Sequence, residues 1–255
     1  VTRKLVDHQH TSMDLISFAN SDRAYVVTCE HGGNQVPHDF ADAFGRGDAK
    51  AWLASHRGHD PGSLAAARQL AESLRVDRIS STTTRLLVDL NRSLDHESLF
   101  SKFTRDLADD RKRLILDRYY HPYRNAVGNA IDAIVDRGQT AIHFSVHTFT
   151  PRIAGVWRPI DLGLLFDPDA AGEAEYCRQW RQRLLERSPK RRILMNEPYA
   201  GTADGLTTAL RKRYDSRRYF GIEIEINNRF FKRSPEHQRR VVDELLAAGR
   251  ERPVD

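Results

Sequence analysis

Apolar positions along this chain fall into short, β-branched runs separated by stretches of helical spacing. The first run, Tyr25-Val26-Val27-Thr28-Cys29, predicts a buried strand over residues 24–29. It stops at Glu30-His31-Gly32-Gly33-Asn34, where two residues without a Cβ would let the backbone pass close to a substrate or metal. The pattern recurs in Thr140-Ala141-Ile142-His143-Phe144-Ser145-Val146-His147-Thr148, a second apolar strand that finishes on a histidine. Residues 76–80, 85–93, 162–166 and 192–195 read as further strands. Tyr219-Phe220-Gly221-Ile222-Glu223-Ile224-Glu225-Ile226-Asn227 alternates apolar and acidic positions, as strands do.

Between these runs the spacing predicts helices over residues 49–56, 64–74, 207–214 and 234–249, the last with Val241, Val242, Leu245 and Leu246 on one face. A long helical region covers residues 104–136, with a break expected near His121-Pro122 and a stop at Gly138. Asp60-Pro61 marks a helix start, because aspartate caps free amides and proline tolerates the first turn. Strands alternating with helices imply a mostly parallel or mixed sheet between helical layers, an α/β class. With no repeat or linker, the expectation is one domain over residues 1–255: a polar leader over 1–22 and a core over 23–250.

The composition narrows the function classes. A chain of 255 residues, 40% hydrophobic and 29% charged, is that of a globular protein and not a disordered one. No apolar run approaches the ~20 residues of a membrane span, and residues 1–10 lack a signal-peptide core. Two cysteines, Cys29 and Cys177, make no disulfide framework, so the expected compartment is a reducing cytoplasm. A net charge of +5 raises the question of nucleic acid. The densest basic block, residues 179–192, carries no interleaved aromatic pattern and reads as a solvated helix face. Neither nucleic acid nor membrane is expected as a partner; a positive field would instead attract a small anionic substrate. The oligomeric state has no signature in the sequence.

Candidate chemistry gathers at strand ends, which in open α/β sheets is where ligands sit. His31 and His147 each end a strand, and with a carboxylate they could form a hydrolytic zinc site that leaves one position open to water. The third ligand is open among Asp60, Glu30 and His59, and Asp60 also stands where a helix cap would. Glu223 and Glu225 lie two apart and therefore face one side of their strand; an acid there is a candidate general base. If that strand runs parallel to the other two, Glu225 lies nearer the metal. Arg92 could grip a substrate carboxylate in a two-bonded fork, with Arg152, Arg158 and Asn34 as further substrate contacts. Ser145 has no nucleophile elbow around it, and Cys29 sits inside an apolar run.

With those residues assembled, the chain resembles the N-formylglutamate amidohydrolase family. The resemblance is carried by Cys29-Glu30-His31-Gly32-Gly33-Asn34-Gln35-Val36-Pro37, Asp60-Pro61-Gly62 and Leu87-Val88-Asp89-Leu90-Asn91-Arg92-Ser93. It continues through His143 to Pro151, Asp161 to Pro168, Asn196-Glu197-Pro198-Tyr199 and Gly221 to Asn227, in order. It implies a three-layer α/β/α fold like that of zinc carboxypeptidases and cell-wall amidases. It also implies a divalent metal, zinc first, and hydrolysis of an N-acyl amino acid such as N-formylglutamate. Carried onto this sequence, His31, Asp60 and His147 become the metal ligands and Glu225 the catalytic acid/base. Hydrolysis of another N-acyl amino acid or of a cell-wall peptide amide, and a metal-free binding protein on the same fold, are the alternatives.

Overall fold

A computed structural model describes residues 22–45 and 47–246. The leader expected over residues 1–22, up to residue 21, and the last helix beyond residue 246 lie outside the described residues. The strands are β1 (Arg23–Cys29), β2 (Arg78–Ser80), β3 (Thr140–Phe149), β4 (Arg152–Ile153), β5 (Val156–Trp157), β6 (Leu162–Leu165), β7 (Ile193–Met195) and β8 (Tyr219–Asn227). The α-helices are α1 (Ala49–Leu53), α2 (Ser63–Leu74), α3 (Asp109–Ile115), α4 (His121–Val135), α5 (Ala171–Arg187), α6 (Leu206–Arg211) and α7 (Pro235–Leu246).

Six strands form one sheet in the order β2-β1-β3-β8-β6-β7. β2, β1, β3 and β8 run parallel, while β6 pairs antiparallel with β8 and carries β7 parallel to itself. Alternation along the strands then sorts the core into two layers. Val27, Phe144, Val146, Ile222 and Ile224 face α2, α5 and α7, where Trp180 is fully buried. Val26, Ala141 and Tyr219 face α4, α6 and residues Ile115 and Tyr120. The three-layer α/β/α expectation therefore holds.

Two local expectations do not. Residues 85–93 are a series of turns and not a strand, although Leu87, Val88 and Leu90 are buried. Their backbone is satisfied locally, with Leu87 N donating to Thr84 O and Asp89 N to Leu99 O, so burial does not require a place in the sheet. The long helix does not break at His121-Pro122. A π-helical turn at Leu116–Tyr120 joins α3 to α4, and Pro122 follows directly after that altered hydrogen-bond register, at the second residue of α4.

Gly32 and Gly33 also serve a different neighbour from the expected one. A Cβ on Gly33 would lie 2.5 Å from Thr82 O and one on Gly32 2.8 Å from Ser81 O, so the glycines let residues 32–35 close against the strand-end segment 81–82. The backbone bonds Gly32 N to Ser81 O and Gln35 N to Thr82 O follow from that approach.

Candidate metal centre

β1 and β3 are neighbours in parallel register, so their carboxyl ends bring His31 and His147 together, with ring centroids 5.0 Å apart. The turn Asp60-Pro61-Gly62 ahead of α2 supplies the third group. Asp60 N donates to His31 O at 2.9 Å, and Thr148 Oγ1 donates to Pro61 O at 3.0 Å, tying the turn to both strand ends. Gly62 adopts φ +94° and takes the N-cap position of α2. Asp60 is thus not the helix cap; its carboxylate points between the two imidazoles. Asp60 Oδ2 lies 3.0 Å from His147 Nδ1 and 3.4 Å from His31 Nδ1.

One donor atom from each of His31, Asp60 and His147 lies within 4.8 Å of the others, and all three residues are buried. Two imidazoles and a carboxylate are the donor set of hydrolytic zinc, so these residues fit a divalent cation. Of the alternatives for the third position, Glu30 lies behind His147, with Oε2 3.2 Å from its Nε2. His59 is not in the cluster, and its Nδ1 is buried without a partner.

β8 runs parallel to β3, placing His147 opposite Glu225 and Ser145 opposite Glu223. Both acids face the polar side of the sheet, as spacing requires, but their surroundings differ. Glu223 Oε1 accepts from Thr207 Oγ1 at 2.8 Å, so its partner is a hydroxyl. Glu225 is buried and its Oε2 has no hydrogen-bond partner. Burial pushes its carboxyl up to about 8, against the pull of His147 and with a further push from Asp60 and Glu223.

Three residues that no sequence pattern singled out complete the surroundings. Asp89 Oδ1 sits 2.6 Å from His31 Nε2, and Arg85 Nη2 donates to Asp89 Oδ2 at 2.6 Å. Arg85 also reaches Asp60 Oδ1 at 3.4 Å. Tyr123 OH donates to Glu30 Oε1 at 2.7 Å. Burial works against the charge on Asp60, Asp89 and Glu30. For each it is outweighed, by the imidazoles for Asp60 and Glu30 and by Arg85 together with His31 for Asp89, so all three carboxyls lie below their usual range. Asp89 lies in the motif that carried the family resemblance, which is the one signal that could have marked it.

The four expected substrate contacts each have a partner within the protein. Arg92 Nη1 donates to Asp204 O. Arg158 donates to Thr150 and, at 3.1 Å, to Tyr199 OH. Asn34 is exposed and donates to Leu53 O at 3.0 Å, and Arg152 is exposed on the β4–β5 hairpin with its guanidinium 5.8 Å from the Trp157 ring. The basic block expected on a solvated face falls on α5 and the turn after it, where Arg187, Lys190 and Arg192 are exposed. No helix among the described residues is long and apolar enough to cross a membrane.

The sequence matches the profile of N-formylglutamate amidohydrolase over residues 23–231. Gene product Atu2144 from Agrobacterium tumefaciens has a similar structure, with a TM-score of 0.75 at 24% identity over 88% of each chain. N-formylglutamate amidohydrolase from Ralstonia eutropha JMP134 superposes with a TM-score of 0.59 at 18% identity, over 89% of this chain and 92% of that one. At those identities the likeness is one of fold. No curated protein matches the sequence significantly.

Proposed function

The chain belongs to the N-formylglutamate amidohydrolase family, and from that premise we propose that it is a divalent-metal-dependent hydrolase of N-acyl amino acids, cleaving N-formylglutamate to formate and glutamate. The observation that carries this is the convergence of His31 Nδ1, Asp60 Oδ2 and His147 Nδ1 beside a buried carboxyl, Glu225, whose Oε2 has no partner. Those three atoms would hold the ion, with zinc favoured by two nitrogens and one oxygen. Bound there, it would polarise the acyl oxygen and acidify water.

The chain's own residues do the rest. Glu225 Oε2 takes the proton of the attacking water and passes it to the nitrogen that leaves when the C–N bond breaks. A carboxyl raised toward about 8 lies close enough to neutrality to take a proton in its ionised form and to release it again, which both halves of that transfer need. Arg85, about a quarter exposed beside Asp60 and Asp89, contributes positive charge at the cluster. Arg92 and Arg158 would meet the substrate's carboxylates, with Asn34 and Arg152 as further contacts. Two free, buried cysteines support a reducing cytoplasm as the working compartment.

The test pairs metal analysis of the purified protein with a panel of N-formyl and N-acetyl amino acids and a muramoyl-peptide amide. The expected result is about one zinc per chain, formate release from N-formylglutamate, loss of activity with a chelator and recovery with zinc. Turnover of another panel member alone would move the substrate. Absence of both metal and hydrolysis would leave a binding protein on the same fold.

A further inference from the structure

Both imidazoles of the cluster turn Nδ1 toward Asp60 and Nε2 toward a second buried carboxylate. For His31 that carboxylate is Asp89, which is also held by Arg85 and by Asn91 N at 3.0 Å. For His147 it is Glu30, and here two hydroxyls do the holding. Tyr123 OH donates to Glu30 Oε1 at 2.7 Å and Ser145 Oγ donates to Oε2 at 2.7 Å. A serine hydroxyl has one proton. With that proton on Glu30, the Ser145 oxygen is left to accept at its other contact, His147 Nε2, 2.9 Å away. Glu30 Oε2, 3.2 Å from the same nitrogen, is an acceptor as well. Nε2 faces only acceptors, so it carries the hydrogen and the lone pair available to a cation is on Nδ1.

The placement of Tyr123 depends on the π-helical turn at Leu116–Tyr120, directly before α4. Tyr120, the turn's last residue, shares one helix face with Tyr123 and Arg124. Tyr120 OH donates to Arg92 O at 2.7 Å and Arg124 Nη1 to Leu90 O at 3.2 Å, so the same face grips the Asp89 segment and Glu30 together. π-helical turns recur at functional sites.

We propose that Glu30, held by Tyr123 and Ser145, is a positioning residue that selects Nδ1 of His147 as the ligating nitrogen and so sets the metal affinity of the site. This rests on the metal-hydrolase function proposed above. Neighbours of this kind typically alter metal affinity by ~10–100-fold when lost.

The test measures zinc affinity by competition with a chromophoric chelator, with circular dichroism and thermal melting to confirm the fold. Glu30→Gln should weaken zinc ~10–100-fold and Tyr123→Phe less, about 3–10-fold. The double variant should be no weaker than Glu30→Gln alone, because Tyr123 acts through Glu30; a merely structural tyrosine would cost the same in both backgrounds. Isotope-edited NMR of the histidine ring nitrogens in the zinc-loaded wild type should show His147 ligating through Nδ1 with hydrogen on Nε2, a readout that needs no variant to fold. Ligation through Nε2, or wild-type affinity in Glu30→Gln, overturns the proposal while leaving the hydrolase intact. A wild type that binds no zinc overturns both.

Discussion

At the scale of single residues, the two glutamates of β8 are chemically alike and separated only by their surroundings. Glu223 has its hydroxyl partner in Thr207, whereas Glu225 has a bare oxygen opposite His147. Glu225→Gln should keep its zinc and lose at least ~100-fold in kcat, the lower range for a positioned general base. Glu223→Gln should lose much less. Steady-state kinetics with metal content measured alongside decides between them, and the reverse order would hand the base role to Glu223. A second residue with a distinct pH signature is His143, enclosed by Thr28 Oγ1 and Tyr219 OH at 2.8 Å each. Burial lowers its pKa to about 4, so it is neutral in the folded protein at neutral pH. The unfolded chain takes up the proton first, near pH 6.5, so the contribution to stability is present above that value and lost as pH falls toward about 4. Urea unfolding of the wild type against His143→Gln should show the wild type losing up to ~3 kcal/mol relative to the variant over that interval. A constant difference across it would show that His143 takes its proton inside the fold.

At the scale of elements, the turn before α2 decides where Asp60 points. Gly62 holds φ +94°, and a Cβ there would fall 2.1 Å from Phe231 Cγ. Gly62→Ala is therefore both strained and overpacked, and should cost about 1–3 kcal/mol or more. Because Asp60 lies two residues upstream, the same variant should bind zinc more weakly than its loss of stability accounts for. Denaturant melts and zinc titration of the folded fraction measure the two effects separately; wild-type zinc affinity would mean that the turn does not orient Asp60. Residues 85–93 illustrate a different point about elements. A continuous apolar run is compatible with a strand, yet here Leu87, Val88 and Leu90 bury themselves from a chain of turns whose polar residues, Arg85 and Asp89, project into the cluster. A regular strand would have sent neighbouring residues to opposite faces.

At the scale of the whole molecule, the sheet separates the layer packed on α5 and α7 from the face that carries Ser145, Glu30 and the two histidines. Trp180 is fully buried on α5, 5.1 Å from the Phe144 ring, on the face opposite Ser145 and Glu30. Trp180→Ala should cost ~3–5 kcal/mol of stability. Zinc affinity of the folded fraction should change by less than about twofold, since separated sites act nearly independently. A parallel fall in zinc affinity would mean that strain in the layer around Trp180 reaches the cluster through β3. β6 and β7, parallel to each other and antiparallel to β8, close the sheet beyond it, and Gly163 of β6 pairs with Glu225. Glu225 is therefore covered on both strand edges, by β3 and by β6, which is how a carboxyl comes to be desolvated at a strand's carboxyl end.

Much of this was determined by the sequence alone. Period-two alternation specified β8 over residues 219–227, and the apolar runs specified β1 and β3 with a histidine at each end, because side-chain direction along a strand is set locally. The two-residue spacing of Glu223 and Glu225 put both on one face for the same reason. What only the tertiary structure decided are relations between distant segments. That β8 is parallel to β3, that Asp60 turns to the imidazoles instead of capping α2, and that Gly32 and Gly33 admit Ser81 and Thr82 all depend on which neighbour packs where. The partners of the two histidines are the clearest case. Asp89 reaches His31 across 58 residues and Tyr123 reaches Glu30 across 93. No local pattern encodes such a contact; it exists because a π-helical turn and a buried run of turns deliver those side chains to a point that the sheet had already defined.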